Sequence, residues 1–427
     1  MSIATIDSIN SSVSPNAQAG LSGFSAKLVF QRDSLLQAVS AVARATSVKP
    51  IQPILSHILL EVDPLEQRAT LSATDMDLSI RTWVSLDETT PQPVLALKMT
   101  LSAKKLLEIL SKLPAASWVT LRYDPSRQLA KLDCAASTFE LRTMPAEEFP
   151  DIASLPAAVE AGRVAPLQLP LTNLNKAIAQ TVFAAASYDT NNVLGGVFFR
   201  VGPSGLELVA TDGSRLARRM DIISAASDDM QGAIQPPMTT TVAIIPAKTL
   251  QEFTKLIGSN PEKQIPAQLA ILDGQIYILS ENFELISRLI DGQYPKFEQL
   301  IPTQNQIIVR ANRNALIASL ERASVMANER TNVVKLHLEA DRLGLSANNP
   351  DVGDSKDEMP VEFDGTPMDI AFNYKYVLDA LKAIDTEGIR METNGALAPT
   401  IFKGDLTPEE AATSGDYLCL VMPVQVK

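Results

Sequence analysis

The chain has 427 residues, 46% hydrophobic and 20% charged, with 27 Pro, 19 Gly and a net charge of −12. That is the size of two to four domains and the composition of an ordinary globular protein, which excludes disordered and fibrous classes. No apolar run reaches the ~20 residues of a membrane-spanning helix. The opening residues have neither a basic start nor a continuous apolar stretch, and two cysteines cannot form a disulfide framework, so a cytoplasmic protein is expected.

In chain order, residues 1–24 are rich in Ser, Asn and Ala and read as a disordered arm. KLVF is a short extended run, followed by a helix over 33–49. HILLEV, ATLSA and LSIRTWV alternate like strands. A helix over 103–112 and the strands WVTLRY, AKLDCA and TFELRTM complete a first unit, 25–154. The Pro-punctuated stretch EEFPDIASLPAAVEAG marks its end. A second unit, 165–302, has helices over 172–187 and 247–257, with a long loop from Ser227 between them. GQYPKFEQLIPTQNQ leads into a third, 303–427, with helices over 312–330 and 373–385.

These units are copies of one another. LLQAVSAVARATS, LNKAIAQTVFAAAS and LIASLERASVMAN are alike, as are LSATDMDLSIR, LVATDGSRLARR and LSANNPDVGDS. The second set puts Asp75, Asp212 and Asn349 at equivalent places. AKKLLEILSKL, AKTLQEFTKLI and YKYVLDALKAI put Lys104, Lys248 and Lys375 in register. The expected fold is therefore α+β: three tandem similar domains, each with two helices and many strands.

Catalysis finds little support. His57 and His337 sit in alternating runs, read as strand-face residues, and neither has a His or Cys at metal-ligand spacing. ATDGSRLARR lacks the spacing of a phosphate loop and reads as a strand ending in an Asp-Gly turn. Composition alone leaves a carboxylate enzyme open, but Asp75 and Asp212 belong to separate repeats and read as turn residues. Charge is segregated. The six helical segments hold 13 Lys and Arg against 7 Asp and Glu, leaving −18 on strands and loops. Sparse positive charge on helices touches phosphates without reading bases, and an acidic remainder repels nucleic acid elsewhere. That suits an inner surface around DNA; a plain three-domain interaction protein is the rival reading.

From the end of the arm onward, the chain resembles the beta sliding clamps of bacterial DNA polymerase III. The resemblance rests on KPIQPILSHILLEV, LSATDMDLSI, RTMPAEEFPDI, VATDGSRLA, LIDGQYPKFEQLIP, LSANNPD, FNYKYVLDAL and the terminal VMPVQV. It implies a head-to-tail homodimer ring with sheets outside and helices lining the hole. Such a ring encircles double-stranded DNA without sequence preference and tethers polymerase to it. It has no catalytic site, cofactor or metal of its own.

The implied partners are the DNA polymerase III catalytic subunit, the clamp loader complex and other proteins carrying a clamp-binding motif. They would insert a short peptide into a groove between the second and third domains. The matching groove positions are Leu194, Thr211, Gly213, Ser214, Leu216, Pro295, Gln299, Leu300, Tyr376, Pro399, Leu420, Met422, Pro423 and Val424. Ser214 and Gln299 stand where some relatives carry His and Arg, so the rim here has less positive charge; Val424 stands where some carry Met. Phe139, Val325 and Met326 match the dimer contact, although position alone makes each an ordinary core residue. Lys49, Tyr188, Asn192 and Lys248 match DNA-facing positions, and the repeat adds Lys104 and Lys375.

Overall fold

The computed structural model describes residues 26–47, 49–63, 65–91, 96–187, 192–203, 205–221, 240–257, 265–363, 365–407, 409–410 and 415–425. The expected arm, Tyr188 and the loop from Ser227 to 239 lie outside them. The chain forms two compact units, 1–152 and 153–427.

The helices are named α1 (Arg32–Val42), α2 (Ala103–Lys112), α3 (Leu155–Glu160), α4 (Leu171–Ala179), α5 (Ala247–Ile257), α6 (Arg313–Ser324) and α7 (Tyr374–Ala383). Their sequences explain them. In α2, Ala103, Leu106 and Leu110 are buried at helical spacing while Lys104, Lys105 and Glu108 face out. Asn312 and Asn373 cap α6 and α7, their side-chain oxygens accepting from the Ala315 and Lys375 N–H groups.

Four helices are shorter than the sequence predicts, α7 by three residues and α1, α4 and α6 by more. Alanine-rich sequence favours helix beyond the point where local hydrogen bonds end it. The Thr46 hydroxyl donates to the Ala43 carbonyl after α1, and that of Thr181 donates to Ala177 after α4. Beyond α6, the Asn328 carbonyl accepts from the Thr331 and Asn332 N–H groups in a turn.

The threefold repeat contains a second, twofold one. Each domain is two strand–helix–three-strand halves, and each half lends its first strand to the other. In unit 1, Ala26–Gln31 pairs with Trp118–Asp124 of the second half, and Leu97–Ser102 pairs with His57–Asp63 of the first. The two runs are then extended by Arg68–Thr74 and Leu78–Ser85, and by Leu129–Cys134 and Ser137–Arg142. The same exchange recurs twice in unit 2. Leu167–Pro170 pairs with Pro266–Leu272 and Thr241–Pro246 with Gly196–Gly202; Ile307–Asn312 pairs with Gly388–Thr393 and Met368–Asn373 with Val333–Glu339.

Within unit 2, the last strand of one half joins the last strand of another. Arg215–Asp221 pairs antiparallel with Asp416–Val421, fusing two domains into one nine-stranded sheet. This seam is sequestered: Leu216, Ala217, Leu420 and Cys419 are all buried. Burial pushes the Cys419 thiol up to about 12. Two other last strands, Ser137–Arg142 and Gly353–Pro360, end their sheets instead.

The repeated acidic position is a turn. Asp75 Oδ1 accepts from the Asp77 and Leu78 N–H groups, and Asp212 Oδ1 from those of Ser214 and Arg215. Asn349 Oδ1 accepts from the Asp351 N–H. Three local hydrogen-bond motifs thus explain three recurring side chains, and the carboxylates are structural. The residue after the acid has φ +90° at Gly213 and φ +80° at Met76.

Candidate functional site

The groove residues converge where the seam ends. Leu216 stands opposite Leu420, and Ile401 opposite Leu420 on the other side. Behind them lie Phe198, Val209, Ile244, Tyr294, Phe297 and Leu418, in one buried cluster. Leu194 packs on its rim, held by the turn Val193–Gly195, whose Leu194 N–H is capped by the Asn192 side-chain oxygen. The Thr211 hydroxyl donates to the Arg215 carbonyl and accepts from the Gly213 N–H, so Thr211, Gly213 and Ser214 form one rigid corner. The Ser214 carbonyl accepts from the Met422 N–H at 2.9 Å, and the Ala371 carbonyl accepts from the Val424 N–H at 2.7 Å. Two backbone hydrogen bonds therefore fix a segment that sequence alone would leave as a loose end.

Large apolar side chains stay in water here. Leu300 is 54% exposed, Met422 39% and Val424 36%. Pro295 and Gln299 are exposed on the turn beside them, and Pro399 and Pro423 are half-buried. Tyr376, on α7, lies under the guanidinium of Arg215, 4.5 Å from its ring centre. Burial holds the Tyr294 phenol far above its ordinary range. Exposed apolar side chains over a packed apolar floor make a surface that an apolar peptide segment would cover.

Sequence reasoning missed the floor itself. Phe198, Ile401 and Leu418 lie on continuously buried stretches of strand and Phe297 in a short turn, none of which marks a site; what makes them one site is pairing between segments some two hundred positions apart.

The expected DNA contacts are spread over separate elements. Lys49 is exposed in the bend after α1. Lys104, Lys248 and Lys375 are exposed, each at the second position of its helix, α2, α5 or α7. None of these three helices has an acidic residue in its first turn. A cation there opposes the helix dipole at about 0.3–1 kcal/mol, so local helix stability does not explain the threefold placement. The six long helices carry 11 Lys and Arg against 5 Asp and Glu, the same excess of six as the longer predicted segments.

The dimer candidates are surface residues. Phe139 is half-buried on the sheet-ending strand Ser137–Arg142. Val325 is 76% exposed and Met326 half-buried, just past α6. Neither Val325 nor Met326 is the ordinary core residue that position alone suggests. The Ser355 hydroxyl donates to the Ala323 carbonyl at 2.7 Å, tying this corner to the other sheet-ending strand.

His337 lies between Asp369 Oδ1, 2.6 Å from Nδ1, and Ser346 Oγ, 2.8 Å from Nε2. The order imitates a nucleophile, base and orienting acid. Strand register accounts for it more simply: His337 sits directly opposite Asp369, on the exposed face of the sheet, and Asp369 is also paired with Lys335. Lys335 and His337 together hold the Asp369 carboxyl below its ordinary range.

Three family models match in order. They are described as the N-terminal, central and C-terminal domains of the DNA polymerase III beta subunit, over residues 26–153, 168–296 and 298–413. A beta sliding clamp of Synechococcus elongatus is 33% identical over 403 residues, covering 94% of this chain and 100% of that protein. The crystal structure of the DNA polymerase sliding clamp of Bacillus subtilis superposes with a TM-score of 0.81 at 28% identity, covering 95% of this chain and 100% of the other. A Pseudomonas aeruginosa sliding clamp bound to griselimycin gives 0.81 at 26%, with the same coverage.

Proposed function

The chain belongs to the DNA polymerase III beta subunit family, the beta sliding clamps, and we propose that two copies close head to tail around duplex DNA. It is a DNA sliding clamp, an accessory subunit without catalysis of its own. The observation that carries the closure is the contrast between paired and sheet-ending strands. Arg215–Asp221 and Asp416–Val421 satisfy each other inside one chain, whereas Ser137–Arg142 and Gly353–Pro360 end their sheets. Joining those two strands between copies, twice, continues the sheets and closes the assembly. Phe139, Val325 and Met326 then become buried apolar contacts.

The helices face the duplex in this reading. Lys49, Lys104, Lys248 and Lys375, together with the family-matched positions Tyr188 and Asn192, meet phosphates loosely, and the acidic remainder faces solvent. Retention is topological, so affinity for DNA is weak and salt-sensitive while the closed ring stays on.

The groove from Leu194 to Val424 takes a short peptide from the polymerase catalytic subunit, the clamp loader and other motif-bearing proteins, in the cytoplasm. Tethering then raises the partner's effective concentration at the template to the millimolar range without any new contact to DNA. With Ser214 and Gln299 uncharged on the rim, apolar anchors dominate recognition.

The test is retention on loaded circular plasmid before and after a single restriction cut. The clamp stays on the circle and slides off the linear form. Equal retention on both would mean that contacts hold it, and the topological reading would be wrong.

A further inference from the structure

Arg215 is absent from the groove positions drawn from the family, yet three separate segments meet at its guanidinium. Its side chain is only 10% exposed. Nε donates to Asp212 Oδ2 at 3.0 Å, within the turn that forms the groove corner. One terminal nitrogen donates to Asp379 Oδ2 at 2.6 Å, on α7. The other donates to the Phe183 carbonyl at 2.6 Å, after α4. The flat face lies 4.5 Å from the ring centre of Tyr376 and 5.4 Å from that of Phe183.

We propose that Arg215 is a positioning residue for the partner groove, pinning Tyr376 against the domain 2 corner so that both walls are set before a peptide arrives. This rests on the groove reading above. The geometry has one feature that a general stabilising contact does not need. In-plane donors fix the guanidinium at three points, and the remaining face is what holds the tyrosine ring. Asp212 and the Phe183 carbonyl anchor it to domain 2; Asp379 and Tyr376 belong to one face of α7, three positions apart. The Tyr376 ring therefore inherits its placement from domain 2 rather than from its own helix.

The same corner holds the opposite wall, because the Ser214 carbonyl accepts from the Met422 N–H. A groove set in this way binds without first ordering its walls, which lowers the cost of association. Lysine cannot substitute. It is a point charge on a flexible stem, with neither the planar face nor the fork of donors.

The experiment is a double-mutant cycle on the full-length dimer, read by fluorescence anisotropy with a labelled apolar clamp-binding peptide. Thermal melting and size-exclusion chromatography check the fold and assembly of each variant. Arg215→Lys is expected to weaken binding about tenfold, and Tyr376→Leu by a similar factor. If Arg215 acts through the ring, adding Arg215→Lys to Tyr376→Leu weakens binding no further.

Should Arg215→Lys not fold, Asp379→Asn loosens the same guanidinium from a half-exposed position. It is expected to weaken binding about threefold, an effect that vanishes in the Tyr376→Leu background. Full additivity of the two losses, or wild-type affinity in Arg215→Lys, overturns the positioning role. Wild-type affinity in Tyr376→Leu overturns it together with the groove itself.

Discussion

The seam and the sheet-ending strands occupy the same place in their half-domains but differ in sequence. The seam strand Asp416–Val421 reads DYLCLV, with five consecutive buried residues. Gly353–Pro360 reads GDSKDEMP, and Ser137–Arg142 reads STFELR; both carry charges that alternate into water. A strand paired for good inside one chain can be apolar on both faces. One that is solvent-exposed during synthesis needs charge to discourage wrong partners, and keeps only a few apolar side chains for the right one. One fold position thus serves as a weld inside the chain in one place and, in the proposed assembly, as a joint between copies in another.

That comparison breaks most severely at the weld. Leu420→Ala removes a side chain from the buried cluster and should cost about 2–5 kcal/mol of stability, measured by urea denaturation. A loss below about 1 kcal/mol would show that the seam is not the core it resembles. At the joint, Val325→Asp should leave the fold of the chain intact, because Val325 is largely exposed before assembly. In the proposed dimer it would bury an unpaired charge, so dissociation should rise at least a hundredfold, about 3 kcal/mol. Light scattering on dilution distinguishes a folded monomer from a persistent dimer, and the latter removes this residue from the interface.

Deleting residues 422–427 strips the groove wall laid along the end of the seam; Val424 and Gln425 also line one cavity with Asp354, Ser355 and Lys356 of a sheet-ending strand, so assembly is checked by size-exclusion chromatography before affinity is read. The dimer should remain, with peptide affinity lowered more than tenfold, above about 1.4 kcal/mol. Unchanged anisotropy titrations in an intact dimer would put the groove elsewhere. The smallest effect compares two copies of one turn. Gly213→Ala meets no atom within 4 Å, so its cost of about 1 kcal/mol comes from φ +90° alone. Met76→Gly relieves a side chain already held at φ +80° and should leave stability unchanged or slightly higher, by at most about 1 kcal/mol. Equal losses in the two variants would show that backbone strain is not what separates them.

What was legible in the sequence was local. The Asx turns at Asp75, Asp212 and Asn349 and the lysines at the second helical position recur because each needs only its neighbours. Helix ends at Val42 and Ala179 were not legible, since the chain tightens beyond them into the short 3-10 turns Ala43–Ala45 and Val182–Ala184 within the same alanine-rich stretches. The seam, the strand exchange and Arg215 were hidden for another reason: their partners lie far along the chain, and nothing in RLARRMD points to DYLCLV. The resemblance supplied Leu216 and Leu420 as site positions, but their facing each other across a strand pair is a fact of the fold.

The exchange of first strands within every domain also has a temporal meaning. Val29 pairs with Thr120, so the first described strand has no partner until most of its domain has emerged. Loop closure must be complete before that pairing contributes anything. Neither half-domain is then a folding intermediate in its own right, and a chain interrupted between halves leaves its lent strand without a partner rather than half a structure. Each domain forms all at once or waits, which sets the pace at which the N-terminal copy becomes available to the rest.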